Sequence, residues 1–455
     1  MQLIDLLKKM FLTPTPTDPE DLSGEDALNI RFKIVVVEFA ESVENNAGEL
    51  ISTFLGNCEG LDVTYFDQPF DKGFLDLSSR TFFDLIDKGQ RILDRSGADV
   101  LIWGRREDNK IRLNFQTSLQ YETSGDSFVS LLDSLYFPAE LFNNSQSPFP
   151  PSLINLLYGA TVAALNLNDK SKKIQKRYLL KKIIAKLSSD NSAKAISLNY
   201  IPYIMKFLGL IYLSYCANSN SDKNFKIVEN LFETALKHQD LINNPIHLGC
   251  IYYHYAQLFD ASSEHLPKRP INSYKNAINN YRLAQKYLGK YQFPYEYGLI
   301  SFRLSNLYYN YWRQKEDLQA LRDSVFNLRE SEKIFTYALF PEFWSQIEGR
   351  LGYLLSLLSN ITASDEIAEL AIASYKNQQK IITEKRDPLL WAQIQEKIGE
   401  IYYRIGKKGS DKDALEEALE YFHDSLYIFE NMNREEECKR LTTAIAKTSQ
   451  VISYQ

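Results

Sequence analysis

His247, Cys250 and His254 stand at i, i+3 and i+7, which places two imidazoles and a thiol on one face of a helix. Such side chains are zinc ligands, but a structural zinc site takes four. No fourth ligand is offered at a matching spacing, and Cys250 and His254 fall on helix positions that face a neighbour. The expectation is therefore no metal. A second cluster is cationic: Lys170, Lys172, Lys173, Lys176, Arg177, Lys181, Lys182 and Lys186 share a helix with the apolar stripe Ile174, Tyr178, Ile183 and Leu187. Its readings are a solvated face, a contact with the acidic front of the chain, an acidic partner, or nucleic acid. The one aromatic lies on the buried stripe and leaves nothing for bases to stack on, so nucleic acid is not expected.

Catalytic patterns are missing. Gly406-Lys407-Lys408-Gly409-Ser410 has the composition of a phosphate loop without its spacing, and reads as a turn between two helices. No Gly-x-Ser-x-Gly, His-Glu-x-x-His or paired Cys-x-x-Cys occurs. The chain reads as a non-enzyme with no catalytic residue and no cofactor.

The elements that hold these residues repeat. An aliphatic-small pair followed three residues later by a bulky one occurs at Leu208-Gly209/Tyr212, Leu248-Gly249/Tyr252, Leu304-Ser305/Tyr308, Leu351-Gly352/Leu355 and Ile398-Gly399/Tyr402. A small-xxx-bulky-xx-small pattern follows each, at Val228/Phe232/Ala235, Ala277/Tyr281/Ala284, Ser324/Leu328/Ser331, Ala371/Tyr375/Gln378 and Ala418/Phe422/Ser425, with steps of 49, 47, 47 and 47 residues. Both patterns carry apolar residues at helical spacing, so each unit is a helical hairpin too small to bury its own apolar face.

The runs Ile398-Gly399-Glu400-Ile401-Tyr402 and Ala277 to Ala284 resemble the tetratricopeptide repeat, whose first helix carries Leu-Gly-x-x-Tyr and whose second carries Ala-x-x-x-Phe-x-x-Ala. The family period is about 34 residues, so these units are longer by about two turns per helix. The family's Trp position holds Met205, Pro245, Ser301, Glu348 and Gln395 instead. The resemblance covers residues 195–450 and implies an α-superhelix whose first helices line a concave groove. Carried over position by position, it selects Tyr253, His254, Asn306, Tyr309, Asn310, Tyr353, Tyr403 and Arg404 as partner-binding residues. A clamp for a C-terminal carboxylate needs Lys and Asn in the same unit, and Lys206 and Asn306 lie in different ones.

Ahead of the repeats, Phe32–Phe39, Leu61–Phe66, Val100–Arg105 and Ile111–Gln116 read as strands, with helices at Val43–Leu55 and Thr81–Arg95. The order βαβαββ describes a small mixed sheet with helices on one face. Gly97-Ala98-Asp99-Val100-Leu101-Ile102-Trp103-Gly104 and the hairpin after it resemble the N-terminal domain of the periplasmic protein TolB, which implies a protein-contacting domain. The whole is α+β, mostly α: residues 1–30 a short helix (Met1–Leu12) and an acidic Pro-rich linker, 31–122 the α/β part, 123–151 an irregular connector, 152–190 a capping helix pair, 191–455 the repeats. Extra residues near Phe259–Pro270 read as a projecting loop.

Residues 1–150 carry 13 Lys/Arg against 25 Asp/Glu, whereas the rest of the chain is net positive. That split suits a protein partner better than a nucleic acid. Four scattered cysteines without disulfide spacing, no secretory signal and no membrane-spanning run point to a cytoplasmic protein. The leading reading is a protein-interaction scaffold whose partner occupies the groove, with self-association possible. The alternatives are a ligand-sensing or enzymatic α/β domain, using helix N-termini near Glu41 and Thr81, and nucleic-acid binding through the Lys170–Lys186 helix.

Overall fold

The computed structural model describes residues 30–40, 46–68, 79–117, 128–143, 149–189, 198–216, 222–264 and 271–454. The helix expected at Met1–Leu12, the linker after it and Glu41 lie outside the described residues. The chain forms two compact units, Met1–Pro294 and Tyr295–Gln455.

The first unit is built on a five-stranded sheet: β1 (Phe32–Val37), β2 (Leu61–Phe66), β3 (Val100–Glu107), β4 (Lys110–Gln116) and β5 (Ser134–Pro138), in the order β2-β1-β3-β4-β5. β1 pairs in parallel with β2 (Phe32 opposite Leu61) and with β3 (Ile34 opposite Val100), while β3–β4 and β4–β5 are antiparallel. The two crossovers, β1 to β2 through α1 (Ala47–Gly56) and β2 to β3 through α2 (Ser79–Ser96), run in opposite directions across the sheet. With a common hand, opposite directions put the helices on opposite faces. Ala47, Ile51 and Leu55 of α1 join Ile34, Val36 and Ile102, whereas Leu85 and Leu93 of α2 cover Val35, Val37, Leu101 and Trp103. This corrects the expected one-sided sheet and explains the apolar run in β1, which is buried on both sides except at the exposed Lys33. At Gly104 in β3 an added Cβ would come within 2.3 Å of the Arg112 carbonyl oxygen, so the close approach of β4 requires glycine.

The stretch expected to be an irregular connector supplies β5 and a one-turn helix, α3 (Glu140–Asn143). Helices α4 (Pro151–Ala164), α5 (Lys170–Ser189), α6 (Ile201–Cys216), α7 (Asp222–Lys237), α8 (Pro245–Glu264) and α9 (Ile271–Tyr287) complete the unit. α4 is buried along nearly its whole length and shares one apolar core with the α1 face of the sheet and with α5, α6 and α7. The first compact unit therefore holds the sheet, the pair expected to cap the repeats, and two hairpins that carry the repeat markers. α8 continues through Glu264, so Phe259–Glu264 is helix and not the projecting loop; residues 265–270 lie outside the described ones.

The second unit is three hairpins and a closing helix: α10 (Pro294–Lys315) with α11 (Leu318–Glu332), α12 (Pro341–Thr362) with α13 (Asp365–Gln378), α14 (Pro388–Gly409) with α15 (Lys412–Asn431), then α16 (Glu435–Ser453). First helices start at 294, 341, 388 and 435, and the first three open on proline, whose fixed φ and missing N–H suit that position. Each hairpin turns at a left-handed residue, Glu316, Ala363 or Ser410 (φ 54°, 52° and 51°), followed by a capping side chain: Asp317, Ser364 or Asp411. These caps accept from the N–H groups of Gln319, Ile367 and Ala414 and satisfy donors that the new helix would otherwise leave orphaned. The 406–409 stretch, expected to be a turn, is the end of α14, and the left-handed residue comes one later, at Ser410.

The two sequence markers meet in space. An added Cβ on Gly209, Gly352 or Gly399 would lie 2.8–2.9 Å from the ring of Phe232, Tyr375 or Phe422. In each case the bulky residue stands 23 positions after the glycine, so the small residue of the first helix is the seat of the aromatic on the second. In the hairpin with the longer spacing the seat is taken differently. Gly249 faces Tyr287 and Leu288, and Tyr281 packs against Tyr253 with ring centroids 5.8 Å apart.

Candidate functional site

The residues proposed for the groove divide between the units. Tyr253 and His254 are on α8, and both are buried; His254 is fully so. His254 is hydrogen-bonded through Nε2 to Asp133 Oδ2 (2.7 Å) and through Nδ1 to Gln257 Oε1 (2.7 Å). Neither residue can line an open face, which corrects the expectation for these two. The helix face that would be concave in a free stack is here covered by the residues just before β5.

Those residues form a buried ionic cluster. Asp133 accepts from Lys206 Nζ at 2.7 Å through Oδ1, and from the Ser130 N–H at 2.8 Å through Oδ2. Asp133, Lys206 and His254 are all fully excluded from solvent. Burial alone would raise the Asp133 carboxyl, but the His254 ring and the Lys206 ammonium overcome it and hold the group well below the usual carboxylate range. Beside it, the Tyr136 hydroxyl and His247 Nε2 are 2.9 Å apart. Burial, then the charge of Lys206, holds His247 well below its ordinary value. His254 thus uses both ring nitrogens, on a carboxylate and an amide, and His247 uses Nε2 on a tyrosine. Among the described residues no group of three His, Cys, Asp or Glu side chains is placed to hold a metal ion.

Acid sensitivity follows. A histidine held below its unfolded value of about 6.5 contributes stability that is complete above that pH and lost as pH falls through it. Asp133 is also lowered, so its contribution is present above about 3.9 and lost only in stronger acid. The urea midpoint of the first unit is expected to fall between pH 7 and 5, and a His247→Gln variant should show a flatter profile over that window. Equal slopes in the two proteins would refute the assignment.

The basic helix α5 turns much of its charge inward. Lys172 pairs with Asp99 (3.2 Å), Lys182 with Glu59 (2.9 Å), and buried Lys176 donates to the carbonyl oxygens of Ala163 and Leu165. The Arg177 guanidinium lies 5.8 Å from the Tyr215 ring centre. Of the readings open in sequence, contact with the acidic front of the chain is the one these pairs realise.

In the second unit the remaining candidates lie along the first helices. Tyr353 is 42% exposed, and Asn306, Tyr309, Asn310, Tyr403 and Arg404 are half-buried. Tyr309 and Tyr353 join hydroxyl to hydroxyl at 2.9 Å, linking α10 to α12. Arg404 of α14 donates to Asn360 and, at 2.6 Å, to Ser359 of α12. Arg440 of α16 holds Glu396 of α14 in a two-pronged pair at 2.6 and 2.8 Å. The rungs Tyr309–Tyr353, Asn360–Arg404 and Glu396–Arg440 all join residues 44 apart. Three successive seams with one separation mean a constant step between hairpins. Arg350 and Arg313 flank the Tyr309 ring at 5.5 and 5.9 Å, and burial pushes the Tyr309 hydroxyl up to about 12. Farther along, Tyr403, Arg440, Lys447 and Phe422 help line a cleft of about 500 Å³.

One second-unit residue is out of place chemically. Glu348, where the tetratricopeptide pattern has Trp, is fully buried, and among the described residues neither carboxylate oxygen has a hydrogen-bond partner. Burial, with the nearby Glu332 carboxylate, raises it to about 7. A raised acid contributes fully below its unfolded value, and that contribution is lost as pH rises through 7. Glu348→Gln is expected to stabilise the second unit by about 2–3 kcal/mol at pH 8 and to change little at pH 4; urea titrations at the two pH values check it.

Among the described residues no helix is long and apolar enough to cross a membrane. No protein-family model matches the chain, and no curated protein matches it in sequence. Among solved structures, it is similar to a Rap protein crystallised with competence and sporulation factor. The match has 12% identity, spans 70% of this chain and 90% of that one, and has a TM-score of 0.23. A TM-score of that size bears on neither fold nor function.

Proposed function

We propose that this chain is a non-enzymatic protein-interaction adaptor whose second unit binds an extended segment of a partner along α10, α12, α14 and α16. The observation that carries the reading is the regular ladder of seams with a 44-residue separation, which aligns half-exposed Tyr309, Tyr353, Tyr403, Asn310 and Arg404 on successive first helices. Tyrosines combine broad apolar contact with a hydrogen-bonding tip, and asparagine can bond a peptide backbone in both directions. Arg313 and Arg350 beside Tyr309 favour a segment with acidic side chains. The acidic α/β portion offers a separate protein-contacting surface.

Peptides selected from a displayed random library against the full chain test the reading. Tyr353→Ala and Arg404→Ala are expected to weaken the selected peptides at least tenfold. Phe326→Ala, which removes an exposed side chain from the second helix α11, should leave binding unchanged. Equal loss in all three variants, or none in the first two, would remove the groove.

A further inference from the structure

In the first unit, the α2 side of the sheet is not filled beside β4 and β5. A cavity remains there with about 50 Å³ open to the centre of a water-sized atom, walled in part by Trp103, Leu132 and Tyr136. That space suits a few waters or one small ring. Four polar residues on its lining, Arg112, Asn114, Gln116 and His247, each keep one buried atom without a hydrogen-bond partner among the described residues: Arg112 Nε, Asn114 Oδ1, Gln116 Oε1 and His247 Nδ1. Their other ends are engaged. Arg112 Nη1 holds Glu107 at 2.7 Å, Asn114 Nδ2 donates to Ser134 Oγ (2.9 Å) and to the Asp133 carbonyl oxygen (3.3 Å), Gln116 Nε2 donates to the Ile86 carbonyl oxygen (2.8 Å), and His247 Nε2 meets Tyr136. The Asn114 orientation is therefore fixed by its neighbours, and its free end is an acceptor.

Burying a polar atom unpaired costs stability, and four on one cavity point to something that answers them. We propose that this cavity is a binding site for a small neutral cyclic amide of the pyrimidinone or pyridone type. Asn114 Oδ1 takes the ligand's N–H, Arg112 Nε meets its carbonyl oxygen, and His247 Nδ1 takes whichever partner its tautomer allows. Residues 112 and 114 project from the same face of β4 about 7 Å apart, which matches groups at separate corners of a ring rather than on one atom. The flat walls of Trp103 and Tyr136 suit a planar body. Charge argues for a neutral ligand: among the described residues no carboxylate lines the cavity, and the one cationic side chain there, Arg112, already faces Glu107, so a bound ion would be buried uncompensated. This site is distinct from the groove of the second unit and from the helix N-termini considered in sequence.

Trp103 is the one tryptophan before residue 295, so its indole N–H resonance reports on the cavity in the full chain. Uracil and 2-pyridone are expected to shift that signal saturably, while acetate, methylammonium and toluene leave it in place. Asn114→Leu should weaken uracil at least tenfold, and Leu132→Phe, which fills the space without touching the polar groups, should abolish the shift in a chain whose remaining spectrum is unchanged. No saturable shift with either amide in the millimolar range would overturn the proposal and leave a water-filled cavity. Equal response to the charged or apolar probes, or uracil binding that survives Leu132→Phe, would overturn it as well.

Discussion

Replacing Lys206 with methionine is expected to lower the stability of the first unit by about 3–5 kcal/mol. Asp133 is fully buried between Lys206 and His254, with both partners equally excluded from solvent. A buried carboxylate that loses a cation must either remain charged in a low-dielectric surrounding or take up a proton, and both routes cost stability. Unfolding in urea, followed through the Trp103 indole N–H resonance, measures the effect. The companion variant separates the charge from the packing. Lys206→Met combined with Asp133→Asn removes both members of the pair and should recover at least half of the loss, because pairs replaced together are often nearly neutral. A double variant as unstable as the single one would mean that the aliphatic stem of Lys206, not its charge, carries the effect.

The second large effect is expected at Phe422. Its ring lies over Gly399, is 2% exposed, and belongs to the core shared by α14, α15 and α16 with Ala392, Ala418, Phe429 and Leu441. Phe422→Ala removes that ring from its seat on Gly399, and the cost of such a truncation is about 3–5 kcal/mol. Hairpins in a stack contact mainly their neighbours, so the damage should stay local. Hydrogen exchange should show faster opening of amides in 388–453 while the β1–β3 amides keep their protection. Uniform acceleration across the chain would refute the nearest-neighbour picture.

The repeat was legible in sequence because its determinants are local. A glycine and an aromatic 23 residues later need only helical periodicity and a short turn to meet, and Gly209–Phe232, Gly352–Tyr375 and Gly399–Phe422 do so. The strands β1 to β4 were legible for the same reason. β5 was not: Ser134–Pro138 is five residues long, carries no alternation and ends in proline, so only its partner β4 identifies it as a strand. The buried cluster was hidden more deeply. Asp133 meets residues 73 and 121 positions away, and a repeat template assigns Lys206 and His254 to an open groove because it has no place for a sheet. The cluster was signalled only by its oddity, a lysine in the otherwise apolar run 200–216. Tyr309, Tyr353 and Arg404 were read from the template and remain accessible, since nothing in their own unit covers them fully.

The rungs between hairpins share a spacing but not a chemistry: phenol to phenol, then amide to guanidinium, then carboxylate to guanidinium. Identical rungs would let any hairpin dock on any other, and a stack of look-alike pieces would then be free to assemble in a scrambled order or to trade pieces between molecules. Here each joint accepts its own successor. An Arg440 helix set against α12 would face Asn360 or Gly349 rather than Glu396, and lose its charge partner. The sequence of joints works as a set of differently cut keys, so the order of assembly is written into side chains that the uniform geometry alone would leave interchangeable.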